Sequence, residues 1–273
     1  MPTLHSQSGD VVGWQLKTPK QRLGLWLLWL ALAALTVYCW RVMTADTIWA
    51  FVLDAPRQAS DIFGRMLPPR WTYANSLWGP LWDTINMATL GTLIAIVIAT
   101  PLAFLAASNT TPSAAFLRPA ALLIIVASRS VNALIWGLLL VAVLGPGVLA
   151  GIIAIALRSI GFIGKLLYEA IEEIDEKQVE AVRATGAGPA QVITYGIVPQ
   201  ILPVFATISV FRWDINIRES TILGLVGAGG LGLALESSLS TLAWPQVSVI
   251  LLMILATVVV SEWVTSRVRK AII

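Results

Sequence analysis

Three arginines lie well inside apolar runs of this 273-residue chain: Arg129, Arg158 and Arg212. Charge within a membrane span is expensive and is retained for function or for pairing. At 1.5 Å per residue, Arg129 is about twelve residues, or roughly 18 Å, into its run, Arg158 about ten residues and Arg212 about eleven. All three fall near mid-bilayer. A guanidinium donates bidentate hydrogen bonds to phosphoryl-like groups, so three at one level suit an anion bearing several oxygens. Ser130 and Asn132 follow Arg129, while Asn216 and Glu219 follow Arg212 at helical spacing and share its face. Arg129, Ser130, Asn132, Arg212, Asn216 and Glu219 are therefore the candidate substrate pathway. Asp214 and Arg218, four apart on another face, read as a structural ion pair within one helix. Arg158 either joins the pathway or faces a cytoplasmic mouth. The alternative is that these charges only neutralise one another and pin helices together.

A second constellation is a polar stretch, 169–200, between two apolar runs. It contains Glu180-Ala181-Val182-Arg183-Ala184-Thr185-Gly186 and ends at Val198-Pro199. Residues 174–185 read as a helix with Glu172, Glu173, Asp175 and Glu176 near its start, where acidic groups suit the helix dipole. Gly186 stands where a left-handed residue closes a helix. Gly188-Pro189 opens a second short helix, which Pro199 and Pro203 are expected to stop before the next span. Small residues Ala181, Ala184, Gly186 and Ala187 let a partner backbone approach. An ordinary solvated loop is the bland alternative.

These groups need a membrane scaffold. The chain is 57% hydrophobic and only 12% charged, against about 25% charged in soluble domains. Spans of about 20 apolar residues read as 23–43, 83–107, 117–144 (interrupted at Ser128-Arg129-Ser130), 148–168, 201–218 and 245–265. This is an all-α polytopic membrane protein with about six transmembrane helices. The organisation is a cytoplasmic tail 1–22, a first span 23–43, a periplasmic or interfacial segment 44–80 with a partly helical part 47–67, a core 81–268 and a tail 269–273. Six spans put both termini on one side. Lys17, Lys20 and Arg22 at one end and Arg267, Arg269 and Lys270 at the other make that side cytoplasmic, together with 169–200.

Composition also excludes chemistries. With one Cys (Cys39) and one His (His5), no intrachain disulfide, His/Cys metal cluster or Ser/His or Cys/His catalytic set is available. His5 belongs to a polar tail expected to lack structure. No G-x4-G-K-[ST] run exists, so the chain lacks a P-loop for ATP. Gly227-Ala228-Gly229-Gly230-Leu231-Gly232 fits G-x-G-x-x-G, but between apolar spans it signals close backbone packing and not a dinucleotide site. The net charge of +3 sits at membrane edges and does not argue for nucleic acid.

The polar stretch resembles the EAA motif of permease subunits of bacterial ATP-binding-cassette importers. In that pattern Glu-Ala-Ala, three residues, Gly and nine residues precede Ile-x-Leu-Pro. Glu180, Ala181, Gly186 and Pro199 match in register; Val182 replaces the second Ala, Gly196 the Ile and Val198 the Leu. Arg129-Ser130-Val131-Asn132, the run 161–175, the run 211–218 and the glycine-rich 224–232 are similar to the phosphonate branch, so the resemblance covers about 80–268. It implies a type I permease fold like that of methionine importers. It implies ATPase-coupling residues Glu180, Ala181, Gly186, Ala187, Gln191 and Pro199, with 187–196 inserting into an ATPase cleft. It implies a homodimer, two ATPase subunits, an extracytoplasmic binding protein that selects cargo, the bacterial inner membrane, and ATP and Mg bound by the ATPase with no cofactor or catalytic residue here. Cargo would be phosphonate, phosphite or hypophosphite, imported by alternating access. A methionine-type permease and an ATPase-independent secondary transporter or channel are the alternatives; the latter usually shows internal repeats, and none is evident.

Overall fold

The computed structural model describes residues 3–5, 11–14 and 19–272, so Lys17 and Ile273 lie outside the described residues. The chain divides into two units, Met1–Asp61 and Ile62–Ile273. In the first, strands β1 (Thr3–His5) and β2 (Val11–Trp14) pair antiparallel with a bulge at Leu4/His5. His5 is thus in a strand, contrary to the expectation for this tail; Val11, Val12 and Trp14 have strong β propensity. Helix α1 (Pro19–Thr44) begins ahead of the expected span, with proline in its first turn. Its Trp26, Trp29, Tyr38 and Trp40 are exposed, as is Cys39.

Helix α2 (Trp49–Met66) is two-faced. At 100° per residue, Asp54, Arg57, Gln58, Asp61 and Arg65 share one arc while Trp49, Val52, Leu53 and Phe63 share the other. Such a helix suits the plane of a membrane interface.

The second unit begins with a 3₁₀ turn, Trp71–Leu77, then α3 (Trp78–Ala106), α4 (Leu117–Ser130), α5 (Ala133–Leu144), α6 (Val148–Glu172), α7 (Glu176–Ala184), α8 (Pro189–Val192), α9 (Val198–Leu223), α10 (Gly230–Ser240) and α11 (Trp244–Ile272). Among the described residues five helical stretches are long and apolar enough to cross a membrane, and α4 with α5, bent by 86°, make a sixth. The described helices thus give the all-α architecture with five to six candidate spans that the composition calls for.

Lipid is as apolar as leucine, so burial from water cannot hold spans together and close packing must. Helix α3 accordingly presents Ala88, Gly91, Thr92, Ala95, Ala99, Ala103 and Ala106 as one buried stripe. Helix α6 answers with Ala150, Gly151 and Ala154, while its Gly161 and Gly164 lie closest to α4. A Cβ on Gly91 would lie 2.6 Å from Ile155 Cγ2, and one on Gly161 2.5 Å from the Ile125 carbonyl oxygen. At Gly161, α4 also interleaves with α6: Ser128 Oγ donates to the Leu157 carbonyl and accepts from the Gly161 N–H (2.9 Å). The hydroxyl thus bridges the two groups that an α-helix pairs directly.

Several boundaries differ from the sequence reading, each for a local reason. The third span breaks at Val131-Asn132, not at Ser128-Arg129-Ser130, because Asn132 is in extended conformation and caps α5 by accepting from Leu134 N–H (3.2 Å). Glu172 ends α6 instead of opening α7, since Asp175 takes the N-cap with its carboxylate accepting from Lys177 N–H (3.0 Å). Pro199 and Pro203 do not stop a helix. A π turn, Ile193–Ile197, carries α8 into α9, Pro199 sits in the first turn of α9 where its missing N–H is tolerated, Pro203 lies within α9, and Pro189–Ala228 runs as one stretch. The glycine-rich segment is a kink, with Val226 and Gly227 outside helical φ/ψ, followed by α10, which the sequence reading missed; residues 269–272 extend α11 instead of leaving it as a tail.

In that segment Gly227 and Gly229 have φ of +95° and +94°. A Cβ on Gly232 would collide with the Thr221 carbonyl oxygen and stand 2.7 Å from Gly224 Cα. Gly232→Ala should therefore force α9 and α10 apart and cost about 1–3 kcal/mol. Gly24→Ala, where no atom lies within 4 Å of the new Cβ, should be neutral. Thermal denaturation followed by size-exclusion chromatography checks the pair; equal melting points would refute the packing argument.

Candidate functional site

Midway along α3, α6 and α9 the apolar packing gives way to one connected polar cluster. Thr92 is near the middle of α3 and Ser159 near the middle of α6. Asn216 Nδ2 donates to Thr92 Oγ1 (2.7 Å) and Ser159 Oγ (3.1 Å). Arg212 Nε donates to Ser159 Oγ (2.9 Å), and Arg212 Nη2 pairs with Glu219 Oε2 at 3.0 Å. The Phe162 ring lies under the Arg212 guanidinium, 5.1 Å from its carbon. Arg212 is only 1% exposed. It is not a free side chain lining a route but the buried centre of the network.

Glu219 has a second partner. Its Oε1 pairs with Arg158 Nη1 at 2.9 Å, and Arg158 Nη1 also donates to Asn132 Oδ1 (3.1 Å). The structure therefore joins Arg158, Arg212, Asn216, Glu219 and Asn132, and adds Ser159 and Thr92. Arg129 and Ser130 stay outside the network. Both are exposed at the end of α4, with Ser130 Oγ bonded to Ala127 O (2.8 Å). No partner of Arg129 exists among the described residues, and its Cγ lies against α6 at Gly161. Asp214 and Arg218 form an ion pair, and Ser261 Oγ on α11 donates to Asp214 Oδ1 (2.7 Å). That set ties α9 to α11 on the side away from the cluster. Thr92, Ser159 and Ser261 carried no signal in sequence, being single hydroxyls on apolar helices. Arg158 did, as one of the three deep arginines.

The break between α4 and α5 bears on what this cluster faces. Irregular backbone does not occur exposed to lipid; it is tolerated only against protein or water. Arg129, Ser130 and Asn132 are exposed around that break. The face they share must therefore look onto an aqueous cavity or another protein.

The polar stretch 169–200 forms a compact knob. Gly186, at φ +82°, turns the chain after α7, and Gln191 Oε1 accepts from Gly188 N–H (2.9 Å) to close α8. Gln200 clamps the knob's base, accepting from Asp175 N–H (3.0 Å) and donating to the Gly196 carbonyl (2.7 Å). Gly196 sits against the Val179 backbone, a Cβ there meeting Val179 Cα at 3.5 Å. The knob is rooted in a core of Val179, Val192, Ile197 and Ile201 with Ala103 and Ala107 at the end of α3 and Leu167 and Ile171 on α6. Ala181, Gly186, Ala187 and Gln191 line an open groove of about 600 Å³ with Thr185 and Tyr195. Glu180 instead faces a separate cavity with Asn109 and Arg183, and Pro199 is exposed in the first turn of α9. Among the described residues no cluster of His, Cys, Asp or Glu could hold a metal ion.

A six-span helical body with a broken span, a charged mid-membrane cluster and a structured polar knob between spans defines a membrane-transport subunit. Residues 99–273 match the family described as the binding-protein-dependent transport system inner membrane component, and the chain belongs to that family. It is 40% identical over 232 residues to the phosphite transport system permease protein PtxC of Stutzerimonas stutzeri, covering 85% of this chain and 83% of that one. It is 37% identical over 240 residues to the phosphate-import permease protein PhnE of Mycolicibacterium smegmatis, covering 88% of this chain but 44% of that one. Its fold is similar to that of a chain in inward-facing structures of the MetNI methionine ABC transporter, with a TM-score of 0.62 at 23% identity over 72% of this chain and 96% of that one. This protein is thus a permease subunit of a binding-protein-dependent importer.

The cluster's charges are unequal in structural weight, and that can be measured. Arg212→Leu removes one partner of a buried ion pair; with Arg158 still holding Glu219, the loss should be about 3 kcal/mol, the low end for such changes. Arg129→Gln, exposed and without a partner among the described residues, should leave thermal stability within about 0.5 kcal/mol of wild type. Equal destabilisation by both would show that the network does not carry the fold.

Proposed function

We propose that this chain is the non-catalytic, membrane-spanning subunit of an ATP-driven importer of phosphonate or of a reduced phosphorus oxyanion, phosphite or hypophosphite. The observation that carries the reading is the mid-span cluster. Arg158 and Arg212 share one carboxylate, Glu219, and Arg129 stands exposed at the α4–α5 break, which leaves excess positive charge beside a broken span that must meet water or protein. A multi-oxygen anion matches that charge. Methionine, neutral overall, would leave it unmatched, and the likeness to the MetNI fold speaks to architecture alone. Relatives named for phosphite transport support the same cargo class.

The chain works as a homodimer in the bacterial inner membrane, with both termini and the knob on the cytoplasmic side. The PhnE relative supports pairing: 240 aligned residues are 44% of its length, so two such segments fit within one chain. Two ATPase subunits, which bind the ATP and Mg, grip the knobs at Ala181, Gly186, Ala187 and Gln191, with Glu180 and Pro199 at the margins of the contact. A loaded binding protein delivers cargo from outside. Closure of the ATPases moves the knobs. The core at their roots then moves the ends of α3, α6 and α9, and the cavity alternates between its two openings.

Ala181 is exposed on α7 beside the groove. Ala181→Arg should reduce ATPase captured by a tagged chain at least about tenfold, the effect of losing roughly 1.4 kcal/mol of contact, without shifting its melting point. Cells expressing the complete system should accumulate labelled phosphite or methylphosphonate, and not methionine. A tagged wild-type chain that brings down no ATPase would sink the assembly, and methionine uptake without oxyanion uptake would sink the cargo assignment.

A further inference from the structure

The Glu219 carboxylate is divided between two arginines whose surroundings differ. On Oε2 it meets Arg212, which is fully enclosed and already bonded to Ser159 and stacked on Phe162. On Oε1 it meets Arg158, whose side chain is 32% exposed. Arg158 spends one nitrogen, Nη1, on both Glu219 and Asn132. A guanidinium has five N–H donors, and the remaining ones on Arg158 have no partner among the described residues. Its second acceptor, Asn132, is itself exposed at the α4–α5 break, the place where irregular backbone requires water or protein. One arginine of the pair is thus structural and the other presents unused donors to the pathway.

Resting on the oxyanion-import reading, we infer that Arg158 is the cargo-contacting cation and that Glu219 is a resident anion that the cargo displaces from it. In the empty state Glu219 Oε1 occupies the Arg158 donor. A passing phosphorus oxyanion exchanges for that oxygen, and Glu219 stays anchored to Arg212 through Oε2, so Arg212 is never left uncompensated. The exchange breaks the Arg158–Glu219 ion pair as it makes new charge-assisted contacts. It therefore holds affinity down, which a subunit that must release cargo to the cytoplasm requires. No proton or covalent step is involved. Arg129, exposed at the same break, adds long-range attraction without entering the exchange.

The test uses the permease with its ATPase in lipid nanodiscs and labelled phosphite and methylphosphonate as probes. Glu219→Gln keeps the shape and removes the competing charge. Equilibrium binding should tighten about 10- to 100-fold, the range corresponding to one hydrogen bond to a charged group, or become measurable only in the variant, while import in the assembled system slows. Arg158→Gln leaves the Arg212–Glu219 pair intact. It should abolish binding and reduce import at least tenfold while the complex still assembles and melts like wild type, and it decides alone if Glu219→Gln fails to accumulate. Arg158→Lys should restore part of the import, which a purely structural side chain would not predict. Unchanged affinity in Glu219→Gln, or wild-type import by Arg158→Gln, overturns the exchange while leaving the cargo assignment in place. A wild-type system that imports neither anion overturns both.

Discussion

A guanidinium in the middle of a membrane span needs a full set of partners, because a buried, unpaired charge is among the costliest things a fold can contain. Arg212 meets that demand by drawing on its neighbours. Ser159 from α6 accepts its Nε proton, Glu219 from its own helix supplies the countercharge, and Asn216 ties the same serine to Thr92 on α3. Three helices are thereby held in one register. The alanine and glycine stripes of α3 and α6 are the steric side of the same arrangement, since only small residues bring the backbones close enough for such short side chains to meet.

The same three helices also carry the knob. Its core holds Ala103 of α3, Leu167 of α6 and Ile201 of α9. From there to Thr92, Ser159 and Arg212 is eight to eleven residues of helix, about 12–17 Å at 1.5 Å per residue. Helix α6 has no proline over that distance, while α3 and α9 carry Pro101 and Pro203 within theirs. The π turn at Ile193–Ile197 belongs to this logic, because it lets α8 flow into α9 past Pro199 without a flexible hinge. A displacement at the knob is thus passed toward the charged cluster along these helices.

How much of this could be read from sequence follows from the range of each signal. Span number, the deep arginines and the turn at Gly186 are local, and each stands in the residue string. The shared face of Arg212, Asn216 and Glu219 follows from helical period alone. What sequence does not carry is which helix lies opposite. Ser159 and Thr92 matter only because α6 and α3 face α9 at that height, and a lone hydroxyl among apolar residues looks the same wherever it points. Boundaries failed where side chains override composition. Asn132 capped α5 and moved the break, Asp175 took the cap that Glu172 and Glu173 were expected to flank, and one π turn led into α9 at Pro199, which read as a stop.

The partition of charge within the cluster bears on the proposed pairing of two chains. Arg212 is satisfied internally, so removing one of its partners would destabilise the fold whatever passes by. Arg129 and the free edge of Arg158 are not, and they lie beside backbone that lipid cannot cover. Neither a bilayer nor further packing within this chain satisfies both. Bringing a second copy against the broken span would resolve both requirements together: the apolar faces of α4 and α5 would meet protein, and the arginines would look into an enclosed aqueous space. Low dielectric walls around that space would concentrate the field of the doubled excess charge on its contents. A single glutamate per chain then sets how much of the field is spent on the protein itself and how much remains for a passing anion.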